Sequence, residues 1–145
     1  MNTQFTDLLA SFGKTVGIDN LTHDEGYCCL FFDEVVVNLE ERDGILFLYT
    51  TVGQLPENGR EKLYAALLNA NCFYKGTQGA TLGADEKAGI VMLSYQTVLS
   101  VLDDATFEKI VENFVNVADT WTTKVGELSR ESVPTTAAAG QGMMV

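Results

Sequence analysis

Hydrophobic residues near the start of the chain recur with the spacing of an α-helix. Between positions 5 and 16 they fall three or four residues apart, which places them on one face of a helix. This stripe consists of Phe5, Leu8, Leu9, Phe12 and Val16. Gly17 follows, where a helix commonly ends. The pattern therefore predicts a first helix that stops near Gly17.

Three apolar runs with the length of β-strands come next. They are YCCLFF (27–32), EVVVNLE (34–40) and GILFLYTTV (44–52). Asp33-Glu34 separates the first two, and Arg42-Asp43-Gly44 separates the second from the third. Asp-Gly is typical of tight hairpins, because glycine accepts a positive φ without steric cost. Links this short require consecutive strands to pair antiparallel.

The second half of the chain repeats the change from helix to strand. After Pro56, Asn58 is a candidate N-cap with Glu61 as its capping-box partner, and REKLYAALLNAN (60–71) reads as a helix. Strands are predicted at 73–82 and 89–95, joined by an acidic turn at 85–87. Asp103-Asp104 then caps a long helix whose apolar stripe runs to Trp121. The order predicts an α+β domain built on an antiparallel sheet.

The strands and the middle helix carry more apolar surface than one buried face needs. In YCCLFF and GILFLY both sets of alternating residues are apolar, whereas a sheet covered on one face normally alternates with polar residues. Either helices cover both faces, or part of one face is left for a partner. The middle helix has a second stripe, Tyr64 and Leu68, which fits a wide core-facing surface or a second subunit equally well.

Composition narrows the classes of partner and compartment. The chain has 145 residues, enough for one domain, and its net charge of -11 makes nucleic acid and anionic membranes poor partners. It opens with an amphipathic segment and not a signal peptide, and no apolar run is long enough to cross a bilayer. Three cysteines, two of them adjacent, favour a reducing cytoplasm over a disulfide framework.

Groups that could perform chemistry are scarce. His23 is the only histidine, and Cys28 and Cys29 lie in an apolar strand where a thiolate is disfavoured. The glycine-rich segment from Gly76 to Gly89 lacks the lysine and the following helix of a phosphate loop. The acidic pairs fall in predicted turns and at a helix start, without metal-ligand spacing. We expect no catalytic residue, no metal and no cofactor.

Two segments carry a resemblance to a known family. VGQLPENGREKLYAALLNANCF (52–73), followed by GATLGADEKAGIVMLS (79–94), resembles the class I type III secretion chaperones, the Tir-chaperone family of Gram-negative bacteria. The similarity extends from about Phe5 to Trp121, and the order of its segments makes it specific. It implies a homodimer of α-β-β-β-α-β-β-α protomers with a twisted antiparallel sheet packed by helices. Residues 1–130 are then the chaperone domain and 131–145 a flexible tail that has no counterpart in the family pattern.

The same resemblance implies a function. Such chaperones act in the cytoplasm, where they bind the N-terminal segment of a secreted effector, keep it extended and release it at the type III secretion apparatus. Apolar grooves and an open sheet edge are suited to an unfolded segment. The expected effector-binding residues are Phe5, Leu8, Leu9, Phe12, Leu30, Phe32, Val36 and Leu46. The expected dimer interface consists of Leu63, Leu67, Ala70, Phe73 and Ala80.

Two other functions remain open from the sequence. The first is a small-molecule-binding or regulatory adaptor domain of the same α+β class, and a small-molecule-binding domain predicts a closed cavity in a monomer. An enzyme that uses Cys28 or Cys29 predicts an accessible thiol of low pKa.

Overall fold

A computed structural model describes residues 3–131 and has the predicted order of elements. The helices are α1 (Thr3–Val16), α2 (Arg60–Asn71) and α3 (Asp104–Glu131). The strands are β1 (Tyr27–Phe32), β2 (Val35–Arg42), β3 (Ile45–Gln54), β4 (Thr81–Asp85) and β5 (Ile90–Val98). The α+β class and the α-β-β-β-α-β-β-α order are confirmed. The predicted tail at 131–145 lies outside the described residues, apart from Glu131 at the end of α3.

The five strands form one antiparallel sheet in the order β1-β2-β3-β5-β4. The β2–β3 hairpin turns at Asp43-Gly44, where both residues have positive φ, 51° and 82°. This confirms the hairpin predicted from the Asp-Gly pair. β1 and β4 are therefore the two edges of the sheet, and β3 lies at its centre.

The core lies on one face of the sheet. In β3 the alternate residues Leu46, Leu48 and Thr50 are buried, and the same alternation runs through β1, β2 and β5. The apolar stripes of α1, α2 and α3 join these residues in a single cluster. Complete burial of one leucine, such as Leu48, contributes about 1.5–3 kcal/mol. The stripe predicted for α1 is buried from Phe5 to Phe12, whereas Val16 is exposed.

α3 approaches the sheet closely at a glycine. A Cβ on Gly53 would lie 2.5 Å from Cγ1 of Val125, so only glycine allows this contact between β3 and α3. The first turn of α3 is capped as predicted, because the Thr106 amide donates to Oδ1 of Asp103 at 2.8 Å.

Two local predictions are wrong. The segment predicted as a strand from Phe73 to Leu82 begins as a 3-10 turn at Cys72–Tyr74, and β4 starts only at Thr81. Phe73 and Tyr74 adopt left-handed backbone conformations, φ 54° and 55°, which a strand does not allow. The cap of α2 is Gly59, with φ 70°, and not Asn58, so the predicted capping box does not form.

Candidate functional site

The face of the sheet opposite the core is apolar and open. Among residues 3–131 no helix covers this outer face, so of the two arrangements that the sequence left open, the structure has the one in which a face stays uncovered. Its apolar members are Tyr27, Cys29, Phe31, Val36, Ile45, Phe47, Tyr49, Met92 and Val98. The Phe31 side chain is 73% exposed, Val98 is 48% exposed and Tyr27 is 41% exposed. Polar residues, among them Asn38, Glu40 and Gln96, lie between these apolar ones. Exposed apolar groups rimmed by polar residues usually mark a binding surface.

Hydrogen bonds fix the polar atoms of the outer face. The Tyr27 hydroxyl donates to Oδ1 of Asn38 at 2.5 Å, and Nδ2 of Asn38 donates to the carbonyl of Tyr49 at 3.1 Å. The Tyr49 hydroxyl donates to Oε1 of Glu40 at 3.0 Å, and Arg42 pairs with the same carboxylate. Desolvation and the bond to Glu40 raise the pKa of Tyr49 to about 12. The aromatic rings are thus held in place before any partner binds.

The β1 edge beside this face has unpaired backbone groups. The amide and carbonyl of Tyr27 bond to Asp24, on the side away from β2. Successive residues of a strand direct their backbone N–H and C=O groups to opposite sides. The backbone groups of Cys29 and Phe31, two and four residues after Tyr27, therefore also point away from β2. They have no hydrogen-bond partner within the described part of the chain. This edge can receive an added strand.

A groove lies between α1, α3 and the end of β1. Its volume is about 210 Å³, and its lining includes the apolar residues Phe12 and Phe32 and the acidic residues Glu108 and Glu112. The rings of Phe12 and Phe32 meet edge to face, with centroids 6.3 Å apart. The lining thus combines apolar and acidic side chains, which suits an apolar side chain flanked by basic or polar residues.

The structure separates the predicted effector-binding residues into two groups. Six are buried in the core, namely Phe5, Leu8, Leu9, Phe12, Leu30 and Leu46, although an edge of Phe12 also lines the groove. Phe12 and Phe32 line the groove, and Val36 lies half-buried on the outer face. The register pairs Val36 with Phe31 and Phe32 with Val35. Phe32 and Leu46 therefore lie on the core face of the sheet, whereas Val36 lies on the outer face.

The predicted dimer-interface residues divide in the same way. Leu63, Leu67, Ala70 and Ala80 are buried within the protomer, so they pack its core. Phe73 is 95% exposed. Leu68, of the second stripe on α2, is 71% exposed beside a groove between α2 and β4.

The structure contains little that fits the two other functions. The cavity beside Thr77, Ala80 and Phe114 has a volume of about 40 Å³, far below the ~300 Å³ of a small-molecule site. The two larger spaces, about 360 Å³ between α2 and α3 and about 370 Å³ between α2 and β4, are surface grooves and not the closed cavity that such a domain predicts. Burial raises the pKa of the Cys28 thiol, which opposes formation of the thiolate. Within residues 3–131 no group of three or more potential metal ligands comes together. No described helix is both long and apolar enough to span a membrane.

His23 is held by contacts at both ring nitrogens. Nδ1 accepts the Gly26 amide at 2.9 Å, and Nε2 lies 3.0 Å from the Thr6 hydroxyl. The ring also stacks on Phe5. These contacts join α1 to the loop before β1, so the sole histidine has a structural role in this fold.

A sheet with helices on one face and an open apolar surface on the other defines a small protein-binding domain. Residues 7–122 match the model of the Tir chaperone protein (CesT) family. The chain belongs to this family, as its sequence predicted.

Several known proteins are similar to this chain in sequence or in structure. A protein of Chlamydia pneumoniae is 29% identical over 124 residues, which cover 82% of this chain and 94% of that protein. The ExsC–ExsE complex contains a chain that is 26% identical, with a TM-score of 0.70 over 85% of this chain and 94% of that one. The Yersinia pestis type III secretion chaperone SycH, solved with a fragment of YscM2, has 21% identity and a TM-score of 0.64, over 81% of this chain and 98% of that chain.

Proposed function

We propose that this protein is a type III secretion chaperone that binds the N-terminal segment of a secreted effector and keeps it extended for export. The single observation that carries this proposal is the open apolar face of the sheet, from Phe31 to Val98. Membership of the Tir chaperone family supports it. So does similarity in fold to a chain of the HopA1–SchA chaperone–effector complex, at 20% identity and a TM-score of 0.65.

Three surfaces have complementary tasks in this proposal. The outer face takes apolar side chains of the client, and the fixed tyrosines Tyr27 and Tyr49 border them. The β1 edge bonds the client backbone at Cys29 and Phe31. The groove at Phe12 and Phe32 takes a further apolar side chain. An unfolded segment offers both apolar side chains and free backbone groups, so these surfaces hold it without requiring it to fold.

The active form in this proposal is a homodimer. The exposed apolar residues of α2 and the turn after it are Leu68, Phe73 and Tyr74, and of these Leu68 lines the groove between α2 and β4. Leu63, Leu67, Ala70 and Ala80 support this surface from within the protomer. Of the interface residues expected from the sequence, Phe73 is the one whose side chain is available to a partner.

Binding and release require no covalent step. We infer a protein without catalytic residues, metal or cofactor, which acts in the bacterial cytoplasm and delivers its client to the secretion apparatus. The chain's excess of acidic residues argues against nucleic acid or an anionic membrane as a partner. A regulatory adaptor of the same fold is the second candidate, because the same open face can hold a protein that is not exported.

Capture followed by mapping tests the proposal. The tagged chain is expressed in its native host, and bound proteins are identified and truncated to the segment that binds. Hydrogen exchange of the purified complex is then compared with that of the free chain. We expect a secreted protein, bound through its N-terminal segment, with slowed exchange at the amides of Cys29 and Phe31. A client that binds elsewhere on the chain, or one that is not secreted, would contradict the proposal.

A further inference from the structure

The two edges of the sheet differ in the backbone groups they present. At β1, the amides and carbonyls of Cys29 and Phe31 are unpaired within residues 3–131. At β4, the outward-facing residues are Ala80, Leu82 and Ala84, because Thr81 and Gly83 face β5. Two of these three residues already have hydrogen-bond partners, Leu82 with Asn71 and Ala80 with Thr77.

Asn71, at the end of α2, occupies the β4 edge with its side chain. Its Nδ2 donates to the carbonyl of Leu82 at 2.8 Å, and its Oδ1 accepts the Leu82 amide at 2.9 Å. A side-chain amide thus makes the two bonds that a residue of a neighbouring strand would make. The Ala80 amide donates to the carbonyl of Thr77 at 3.1 Å. Only Ala84, next to the β4–β5 turn, keeps its outward groups unpaired in the described region.

An added strand needs bonds at successive outward-facing residues, two positions apart. The β1 edge offers such a pair, Cys29 and Phe31. The β4 edge offers none while Asn71 is bound to Leu82, since an incoming strand would have to displace both bonds and leave the Asn71 amide without partners. Breaking the hydrogen bonds of a partly buried amide costs free energy. The bonds made by the new strand would have to stabilise the complex by more than this cost.

We propose that Asn71 is a specificity-determining residue that blocks the β4 edge and thereby confines strand addition to β1. This inference rests on the proposed function for the identity of the strand that adds at β1. The blocking of the β4 edge does not depend on a client. An unprotected edge can also pair with the edge of another copy of the same chain, so a loss of blocking would appear as self-association. It is therefore testable without a client, and its failure is distinct from a failure to find one.

The first test is amide exchange of the wild-type chain, measured residue by residue by NMR. The proposal expects the Leu82 amide to exchange at least tenfold more slowly than the amides of Ala84, Cys29 and Phe31. Equal exchange at Leu82 and Ala84 would overturn it, and this measurement requires no variant to fold.

The second test compares three variants by sedimentation velocity. Asn71→Ala frees the edge and should form species larger than the wild-type assembly. Asn71→Asp also loses the bond to the Leu82 carbonyl, but its charge disfavours edge pairing, so it should keep the wild-type size. Asn69→Ala, two residues away on the exposed side of α2, is the matched control and should also be unchanged. The proposal is overturned if Asn71→Ala keeps the wild-type size, or if the Asp variant or the control associates to the same extent.

Discussion

Phe31 of β1 lies directly opposite Val36 of β2 on the outer face, while their neighbours Leu30 and Val37 form the next pair on the core face. Phe31 is exposed and Leu30 is buried. Two adjacent residues of one strand therefore contribute to different properties, Leu30 to the core and Phe31 to the open surface.

Phe31→Ala should weaken client binding with little effect on stability. The exposed ring has few contacts to lose in the free protein, so we expect the free energy of unfolding to change by about 0.5 kcal/mol or less. Leu30→Ala, one residue earlier, should cost about 2–5 kcal/mol because it leaves a cavity. Urea denaturation and titration with the captured client measure the two effects. Loss of stability in Phe31→Ala, or client binding equal to that of the wild type, would contradict the assignment.

Gly53→Ala should destabilise the protein through its contact with α3. The new methyl group would clash with Val125, a buried β-branched residue with little freedom to move, at a cost of about 1–3 kcal/mol. Gly83→Ala is the matched control, since a Cβ at that strand position meets no atom within 4 Å. Thermal denaturation should lower Tm for the first variant only. Equal Tm values would show that α3 does not pack on β3 as described.

Tyr49 should make the free energy of unfolding fall as the pH rises in the alkaline range. Its folded-state pKa, raised to about 12, lies above the ~10 of an unfolded tyrosine, so the unfolded state loses the proton first. The stabilisation from Tyr49 is therefore complete below pH ~10 and is lost as the pH rises towards 12. Tyr49→Phe should flatten this part of the stability curve, measured by urea denaturation at successive pH values. A curve of unchanged slope would contradict the hydrogen bond to Glu40.

Asp103, at the start of α3, should make the stability of the protein fall at acidic pH. Hydrogen bonds from Thr106 lower the pKa of this carboxyl, so its contribution is present above the unfolded pKa and is lost as pH falls through the folded value. Asp103→Asn keeps a capping oxygen without the titration, and Asp103→Ala removes both. Tm measured from neutral to acidic pH should therefore fall less steeply for both variants, with Asp103→Ala the less stable at neutral pH. Wild-type slopes in both variants would disprove the role of the carboxylate.

Phe73→Ser should separate the proposed dimer while the protomer stays folded, because the Phe73 ring is almost fully exposed. Leu67→Asp should instead unfold the protomer, since it places an unpaired charge in the core. Sedimentation equilibrium gives the mass, and circular dichroism reports folding. The prediction is contradicted if Leu67→Asp is a folded monomer and Phe73→Ser is still a dimer. That result would support the interface at Leu67 that was expected from the sequence.

The order of elements could be predicted from the sequence because it depends on local periodicity. The stripe from Phe5 to Phe12 and the Asp43-Gly44 turn each act through residues close in the chain. The choice between the faces of β1 could not be predicted, since Phe31 and Leu30 are both apolar. Which of them is buried depends on register and on where α1 and α3 pack, and both depend on contacts between distant residues.

The same limit explains why the surface around α2 was only partly predicted. Leu67 and Leu68 are chemically identical neighbours, and stripe width alone does not decide which one meets the sheet. The left-handed residues Phe73 and Tyr74 gave no signal, because non-glycine residues seldom adopt such conformations. The β1 edge and the Asn71 bonds likewise depend on pairing that emerges only in the folded chain.

The alternation along β1 also has an evolutionary consequence. Under the proposed function, mutations at Cys29 or Phe31 should alter what the protein holds, whereas mutations at the buried Cys28 or Leu30 should alter whether it folds. Selection on these two sets of codons is therefore largely independent, although they are interleaved in one short stretch of the gene. A lineage that carries this chain can acquire a different client by drift on the exposed positions, with no intermediate that fails to fold.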